Sequence, residues 1–349
     1  MPYTHGVGGS SPLTPTTFSL ASWGKMMKIA ITGANGFVGS NLANYFQGRG
    51  DDFVALTRAG ADTSLLAPNI PILNVDYTSP SSLASALTGV EVLIHNAGKT
   101  RTLTFSEMLK ANVGTTRRVL DAFNATPTCQ HFIYISSLAA SRPSKDNQAI
   151  CEDDSSAPVD WYGRSKVLAE RIIRAECAKD WTIVRPVSVY GVGDADFLLL
   201  FKALKSGLSL RIGKTEQHYN LIHIRQLCEF IGACTNHPAA RNQLFFASDG
   251  EVYSHSRFIS LAAKQLGAKT RELAIPAWLA ILVGKVGDLW ERVTQRSTMV
   301  NSQKLKEVIG VNWLCSIEKA RHLLDWKPLP NLEADLRDTL AWYKDKGWL

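Results

Sequence analysis

Three side chains in the middle of the chain have types and spacing suited to proton transfer. Tyr162 is the only tyrosine with a lysine four residues later, Lys166, and Ser137 lies 25 residues before it. A tyrosine with a pKa near 10 is a poor acid or base at neutral pH, but an ammonium one helical turn away favours its phenolate. With a serine polarising the same oxygen, the pair could move a proton to or from a carbonyl or alcohol. Chance alone supplies about half such a pair in a chain of this composition, so the context must decide.

A glycine-rich stretch follows the first predicted strand. Gly33, Gly36 and Gly39 are spaced G-x-x-G-x-x-G where KIAIT at 28–32 gives way to a predicted helix at 38–49. Glycines at such a junction allow a tight turn, close approach to a pyrophosphate and close helix packing, and the helix N-terminus offers amide donors. The predicted dinucleotide site at this turn comprises Gly33, Asn35, Gly36, Phe37, Val38 and Gly39.

The end of the second predicted strand bears on which dinucleotide binds. A carboxylate there would bind the free 2′-hydroxyl of NAD, whereas an arginine can pair with the 2′-phosphate of NADP. The sequence has Thr57 and Arg58 at this point and no carboxylate until Asp62. It therefore favours NADP, with NAD still open, since an exposed arginine at a strand end has no necessary function.

The third and fourth predicted strands end in further candidate cofactor residues. Asp76 and Tyr77 close the third strand, where side chain and backbone could contact adenine. Ala97 and Gly98 close the fourth strand with small residues, where a dinucleotide needs room. In open α/β sheets ligands bind at this carboxyl edge, which is also where Ser136 and Ser137 end the fifth strand.

These residues must be positioned by alternating strands and helices. Short apolar or β-branched runs predict strands at 28–32, 53–57, 72–76, 91–97, 131–137, 182–186 and 243–248, with helices at 38–49, 80–88, 104–126, 161–179 and 225–236. The pattern predicts an α/β fold with a Rossmann-like doubly wound parallel sheet over 27–190. Residues 191–349 are expected to form a smaller, mostly helical substrate lobe, with segments around 216–250 returning to the sheet.

Composition limits the classes of function. The chain has 349 residues, 45% hydrophobic and 20% charged, with a formal net charge of +7. Acidic residues are interspersed among the basic ones and no Lys/Arg run exceeds two, so a small anionic molecule fits better than nucleic acid. The six cysteines show no CxxC spacing and no nearby histidine cluster, which predicts no metal site and free thiols in a reducing cytoplasm.

Two segments could be mistaken for targeting or membrane elements. Residues 1–26 are rich in Ser, Thr, Gly and Pro and lack a basic start and an apolar core, so we expect a flexible extension rather than a signal peptide. The apolar stretch at 274–284 is far shorter than the roughly 20 residues that span a bilayer. We expect no integral membrane segment.

The motifs together resemble the extended short-chain dehydrogenase/reductases of the epimerase/dehydratase type. The matching stretches, in the order and spacing of that family, are TGANGFVG (32–39), HNAG (95–98), NVGT (112–115), YISS (134–137), YGRSK (162–166) and RPVSVYG (185–191). The likeness covers about 28–191, and EKARHLLDWKP at 318–328 resembles a C-terminal element of the same family.

The resemblance implies roles for individual residues. It makes Ser137, Tyr162 and Lys166 the catalytic triad, and it favours Ser137 over Ser136 because the family's serine lies 25 residues before the tyrosine. It extends the cofactor site to Tyr162, Lys166, Pro186 and Ser188, and gives Asn112 a role that is more structural than catalytic. A homodimer through the helices near 104–126 and 161–179 is also implied.

Three further positions bear on which branch of the family the sequence resembles. Nucleotide-sugar epimerases and dehydratases usually carry an asparagine where this chain has Ser188, and Arg-Asp where it has Tyr219-Asn220. Arg225-Gln226 likewise stands where a Val-Asp-Asp-like run is common. The sequence is in these respects more similar to 3β-hydroxysteroid dehydrogenases and dihydroflavonol reductases.

We therefore expect an NADP-dependent oxidoreductase that interconverts a carbonyl and a secondary alcohol on a fairly hydrophobic small molecule. A nucleotide-sugar epimerase or dehydratase with tightly bound NAD is the alternative. A dinucleotide-binding regulator without activity is a third reading, which the intact Ser137, Tyr162 and Lys166 disfavour.

Overall fold

A computed structural model describes residues 27–145, 147–213, 215–298 and 300–349. The extension predicted for residues 1–26 lies outside the described residues. The strands are β1 Ile29–Thr32, β2 Phe53–Thr57, β3 Ile72–Asn74, β4 Val92–His95, β5 His131–Ile135, β6 Asp180–Pro186, β7 Ser188–Tyr190, β8 Leu208–Ile212, β9 His218–Tyr219, β10 Leu221–His223, β11 Gln243–Ala247, β12 Tyr253–Ser254 and β13 Arg271–Ile275.

The α-helices alternate with these strands in the first half of the chain and dominate the second half. They are α1 Phe37–Arg49, α2 Pro80–Ala86, α3 Phe105–Leu109, α4 Thr115–Ala125, α5 Trp161–Glu176, α6 Ala195–Lys205, α7 Ile224–Asn236, α8 His255–Leu266, α9 Ala277–Thr294, α10 Ser302–Val308, α11 Glu318–Leu324 and α12 Leu332–Asp345.

The central feature is a seven-stranded parallel sheet in the order β11-β6-β5-β4-β1-β2-β3. Every residue of β1, β4 and β5 is buried, which explains why these strands are apolar without alternation: helices cover both faces. The edge strand β3 is exposed throughout. The predicted Rossmann-like α/β fold is confirmed, and all seven predicted strands belong to this sheet.

Three strands end two residues earlier than predicted, at Asn74, His95 and Ile135, and β11 ends one residue earlier, at Ala247. After β4 the cause is a side chain. The Thr32 hydroxyl accepts hydrogen bonds from the amides of Asn96 and Ala97, both at 3.1 Å, and so takes them out of the ladder. The residues beyond these strand ends lie at the carboxyl edge of the parallel sheet.

The helix predicted over 104–126 is interrupted. A π-helical turn, Lys110–Gly114, separates α3 from α4 and contains the buried Asn112. Single π turns inside helices often occur at functional sites, because the extra residue redirects a side chain.

The helices form one layer on each face of the sheet. On one face α1 packs against α7, where Gly232 lies directly against the Tyr45 ring. On the other face α4 packs against both α2 and α5. Because α7 and β11 come from the second half of the chain, that half contributes to the sheet and to one of its helical layers.

The C-terminal half also builds a second apolar cluster. Aromatic side chains of α6, α8 and α12 meet there, with Phe201, Phe258 and Tyr343 fully buried. The Tyr343 hydroxyl donates to the carbonyls of Gly191 and Asp194, fixing α12 against the chain that leaves β7. The division into domains at residue 190 stays a prediction. Within the described ranges, no helix is long and apolar enough to cross a membrane.

Gly39 should be the least replaceable residue of α1. An added Cβ would lie 2.1 Å from the carbonyl oxygen of Gly33, a backbone atom that cannot move aside. Gly48, on the same helix, meets nothing within 4 Å. We expect Gly39→Ala to lower the free energy of unfolding by about 2 kcal/mol or more, and Gly48→Ala to raise it by about 0.5 kcal/mol or more. Urea denaturation of both variants tests this, and equal stabilities would contradict the close approach.

Candidate active site

The glycine turn begins where β1 ends. Gly33 has φ = +66°, a conformation that favours glycine, and a Cβ there would lie 2.8 Å from the Ala97 Cα. The turn thus packs directly against the segment that follows β4. A side chain at Gly33 would push the two segments apart.

The start of α1 is open to a ligand. Gly36 is its N-cap residue, is exposed, and provides no side-chain hydrogen bond to the first helical amides. Asn35, Phe37 and Val38 flank it in the same turn. Unpartnered amides and the positive end of the helix dipole fit a pyrophosphate, and the lack of a Cβ at Gly36 allows its close approach.

His95, at the end of β4, is a site residue that the sequence reasoning missed. Because the Thr32 hydroxyl accepts two amide hydrogen bonds, its own proton points to His95 Nδ1, 2.8 Å away. Nε2 then donates to the Thr116 hydroxyl at 3.0 Å. Burial lowers the pKa of His95 to about 3, with the nearby Lys166 adding to the effect, so the imidazole is neutral. It is a structural link between β1, β4 and α4, signalled only by a lone polar residue in an apolar strand.

The ends of β2 and β3 lie beside the glycine turn. Arg58, one residue beyond β2, is exposed, and none of the described carboxylates forms an ion pair with it. The Asp62 carboxylate accepts a hydrogen bond from the Ser64 amide at 2.9 Å, within its own turn. The strand end therefore presents a positive charge without a competing acid.

The Tyr77 side chain hydrogen-bonds to the glycine turn and to β2. Its hydroxyl donates to the Leu56 carbonyl and accepts from the Gly33 amide, both at 3.3 Å. Asp76, next to it, is exposed and accepts hydrogen bonds from the amide and hydroxyl of Thr78, which lower its pKa. The adenine contacts predicted for these two residues stay a prediction.

The three residues proposed for proton transfer come together. Ser137 follows β5, where its hydroxyl accepts a hydrogen bond from the Ala139 amide at 3.2 Å, and its proximity to the Tyr162 phenol acts to lower the pKa of that group. Tyr162 lies in the first turn of α5, which Asp160 caps by accepting from the amides of Tyr162 and Gly163 at 3.3 and 2.8 Å. The cap fixes the direction in which α5 leaves the sheet edge and so fixes the phenol.

Lys166 lies one helical turn further along α5 and is buried. Its ammonium donates to the Ile135 carbonyl at 2.8 Å and lies 4.7 Å from the centre of the Tyr134 ring and 5.7 Å from that of Tyr162. Burial lowers the pKa of Lys166 to about 8, and the Glu170 carboxylate opposes this shift. The ammonium therefore persists at neutral pH beside the phenol.

The two adjacent serines have different partners. Ser136 donates to the Glu170 carboxylate, which forms a bidentate ion pair with Arg185 at 2.9 and 2.6 Å. Both charged side chains are only 4% exposed, and the pair joins α5 to β6. Ser136 thus belongs to this buried network, whereas the Ser137 hydroxyl lies outside it and accepts from the Ala139 amide.

Glu307, in α10, is a second residue that the sequence did not indicate. Burial raises the pKa of Tyr162, and the charges of Glu307 and Asp160 add to this, while the Ser137 hydrogen bond opposes it. Burial, followed by the Glu307 charge, also raises the pKa of Asp160 to about 7. Helix α10 of the C-terminal half thus forms a wall beside the phenol, in which the Glu307 carboxylate is paired with the Lys304 ammonium at 2.6 Å.

Asn112 connects the segment after β4 to the catalytic helix. Its amide oxygen accepts from the Lys99 amide at 2.7 Å, and its Nδ2 donates to the Lys99 carbonyl at 2.9 Å and to the Ser165 hydroxyl at 2.8 Å. A Cβ on Gly98 would lie 3.0 Å from the Asn112 Oδ1 and 3.9 Å from the Lys166 Nζ. A side chain at position 98 would therefore press against Asn112, so Gly98 allows the segment after β4 to lie close to Asn112 and Lys166.

The remaining predicted cofactor residues lie at the far side of the same edge. Pro186 is the last residue of β6, buried and paired with Ala247. Ser188 opens β7 and is exposed. All the predicted site residues thus lie at or beyond the carboxyl ends of the parallel strands, or on α5 beside them.

The residues at this edge fit a dinucleotide, with a glycine cradle for the pyrophosphate at the exposed start of α1. A model of the NAD dependent epimerase/dehydratase family matches residues 29–247. The chain belongs to this family. The expectation of an NAD(P)-dependent oxidoreductase or epimerase is confirmed at that level.

Individual relatives fall on both sides of the reductase/epimerase division. The chain is 29% identical over 336 residues to a UDP-glucose 4-epimerase of Vibrio cholerae, covering 90% of this chain and 95% of that one. It is 26% identical over 322 residues to a ceramide reductase of Caulobacter vibrioides, covering 92% and 96%. Mycobacterial 3 beta-hydroxysteroid dehydrogenases are also among its relatives.

A solved structure shows the same fold. A UDP-glucuronic acid 4-epimerase from Bacillus cereus in complex with NAD superposes with a TM-score of 0.72 at 20% identity, over 91% of this chain and 97% of that one. At this identity the likeness concerns the fold alone.

The buried ion pair beneath Ser136 should be essential for stability. Glu170→Gln leaves the Arg185 guanidinium buried without a counter-charge, so we expect the free energy of unfolding to fall by about 3 kcal/mol or more. The matched control is Glu176→Gln at the end of the same helix, whose pair with Arg117 is exposed and should contribute at most about 1 kcal/mol. Urea denaturation measures the free energy of unfolding of both variants. Similar decreases would show that burial does not determine how much an ion pair contributes to stability.

Proposed function

We propose that the protein is an NADP-dependent oxidoreductase that interconverts a carbonyl and a secondary alcohol on a fairly hydrophobic small molecule. The observation that carries this proposal is the buried Lys166 ammonium, which the Ile135 carbonyl holds at 2.8 Å and which lies 5.7 Å from the centre of the Tyr162 ring, with Ser137 just beyond the end of the adjacent strand. This arrangement lies at the sheet edge that carries the glycine turn.

Each of the three side chains has one task. A bound nicotinamide cofactor supplies or accepts the hydride. The Ser137 hydroxyl donates a hydrogen bond to the substrate oxygen and orients it, and the Tyr162 phenol gives that oxygen its proton during reduction. Lys166 stabilises the phenolate that Tyr162 then carries. The raised pKa of Tyr162 keeps the phenol protonated at neutral pH, which suits the direction of carbonyl reduction.

Arg58 supports NADP over NAD. Its guanidinium is exposed at the end of β2, where the 2′ position of an adenosine ribose is bound in folds of this kind. The nearest carboxylate in the chain, Asp62, is already engaged by Ser64. The family description and the NAD complex of the Bacillus enzyme favour NAD instead.

The residues that stand in place of those typical of sugar-nucleotide enzymes favour the proposal of a hydrophobic substrate. Asn220 is buried and bonds the carbonyl of Glu251 and the amide of Cys315. Tyr219 packs against Phe258 in the second apolar cluster. These side chains hold the fold together and offer no cation for a diphosphate. The similarity to a ceramide reductase agrees with a lipid-like substrate.

The alternative is a nucleotide-sugar epimerase, and the 29% identity to the Vibrio enzyme favours it. The two functions differ in net chemistry, because an epimerase returns its cofactor to the starting state in each turnover. Incubation with UDP-glucose or UDP-galactose, compared with a panel of hydrophobic ketones and alcohols, separates them by whether NADPH is consumed.

Tyr162→Phe tests the proton-transfer role. The variant lacks only the phenol oxygen, so we expect kcat to fall about 1,000-fold or more, since general acid catalysis contributes about 100- to 10,000-fold. NADPH binding, followed by quenching of protein fluorescence, should change less than about twofold. Full activity in this variant would remove Tyr162 from the mechanism.

Arg58→Ala tests the cofactor. The parent should bind NADPH more tightly than NADH by about tenfold or more, because a charged pair with the 2′-phosphate is lost with NADH. Arg58→Ala should bring the two dissociation constants close together, whereas Arg337→Ala, an exposed arginine on α12, should leave the ratio unchanged. Equal affinities in the parent would contradict the 2′-phosphate pairing.

A cytoplasmic location agrees with the state of the thiols. All six cysteines are free, and four of them are buried. Free thiols persist in a reducing compartment. The homodimer through α4 and α5 stays a prediction.

A further inference from the structure

Helix α9 exposes far more apolar surface than a folded chain normally leaves in water. Val293 is 75% exposed, Trp278 66%, and Leu289 and Trp290 60% each. Its other exposed apolar side chains are Leu279, Ile281, Leu282, Val283 and Val286. Apolar patches of this size mark contact sites for another molecule.

Only a narrow strip of α9 is covered by the rest of the protein. Ala280, Gly284 and Glu291 are its buried residues. At Gly284 a Cβ would lie 2.5 Å from Leu305, and at Gly287 one would lie 2.1 Å from the Val300 carbonyl. The helix therefore lies tightly against α10 along its glycines, and its apolar side chains point away from the fold.

The charges of α9 are divided between the two sides. The acidic residues face the protein: Glu291 accepts hydrogen bonds from the Thr298 amide and the Asn301 side chain, and Asp288 accepts from the Ser302 amide. The basic residues Lys285 and Arg292 are exposed. They are seven residues apart, so they lie on the same flank of the helix, beside the apolar face.

The covered side of α9 leads to the proposed active site. The segment that packs against its glycines continues into α10, which carries Glu307. The Glu307 charge contributes to the raised pKa of Tyr162, and the Glu307 carbonyl accepts a hydrogen bond from the Trp313 indole at 2.7 Å. The exposed apolar helix is thus one element away from the wall that α10 forms beside the phenol.

We propose that α9 lies in the surface of an anionic lipid bilayer and holds the active-site wall next to the membrane. An apolar face flanked by basic residues and bearing tryptophans is the composition of a helix that binds in the interfacial plane. Its contact with α10 and its charged residues at 285, 288, 291 and 292 suit a helix that lies on the membrane. The net charge of +7 adds attraction to anionic headgroups.

The proposal gives the hydrophobic substrate a route to the site. This part rests on the proposed function, because it assumes that the substrate dissolves in the bilayer. A substrate leaving the lipid beside α9 would meet α10 and then the Tyr162 phenol without crossing water. Attachment to the membrane itself requires no catalytic activity.

Flotation of the full chain with vesicles tests the attachment. Phosphatidylcholine vesicles with and without 30% phosphatidylglycerol are the probes, with no nucleotide or substrate added. The double variant Leu289→Glu/Val293→Glu places charges on the apolar face and should lower the bound fraction about tenfold or more. Leu329→Glu, at a residue 70% exposed outside α9, is the matched control and should bind as the parent does. Unchanged melting temperatures and NADPH binding show that each variant is folded.

The apolar face of α9 could instead bind a second copy of the chain, and that alternative gives a different result. Parent protein that does not float with either vesicle overturns the proposal. If light scattering then shows a dimer that Leu289→Glu/Val293→Glu dissociates, α9 binds a second copy instead. Tyr162→Phe must float as the parent does, so loss of the redox function and loss of membrane binding are scored separately. Lys285→Gln/Arg292→Gln should weaken binding to the anionic vesicles only, and equal binding of the parent to both vesicles would contradict the role of charge.

Discussion

A lysine ammonium buried between β5 and α5 must be compensated, and the groups that compensate it determine how this edge of the sheet is built. The Ile135 carbonyl, which is free because β5 ends there, accepts a hydrogen bond from the ammonium. The centre of the Tyr134 ring lies 4.7 Å from the same ammonium. Glu170 supplies the opposite charge one turn further along the helix. Burying a charge without such partners would cost several kcal/mol, so these elements cannot shift independently.

The ion pair between Glu170 and Arg185 extends the same constraint into β6. It fixes α5 against the sheet and also engages Ser136, which leaves the next residue, Ser137, to face the cleft. Two adjacent serines at a strand end thus have different partners, because the side chains of successive residues point in opposite directions. If Ser137 has the role that we propose, the choice between the two serines depends on the buried Glu170 charge.

Much of this edge could be predicted because it depends on local sequence. Apolar runs defined the seven strands, and the glycine spacing defined the turn, since only glycine tolerates the 2.1 Å approach at Gly39. Glu307 and His95 could not be predicted, because their roles arise from contacts between segments far apart in the chain. The apolar residues of α6 and α9 illustrate the same limit. Both stretches are apolar, yet Phe201 is buried and Trp278 is 66% exposed. The periodicity of the sequence does not indicate which helix packs against the rest of the fold.

The hydrogen bonds of Asn112 have a mechanical consequence. By bonding to both Lys99 and Ser165, this one side chain joins the segment after β4 to α5. These segments carry residues of the proposed cofactor and proton-transfer sites, and we expect them to move as one unit. We therefore expect the movement that admits and releases ligands to belong to the opposite wall. There the only tie to the β4 side among the described ion pairs is the one between Arg101 and Asp196, an attachment that water can readily replace.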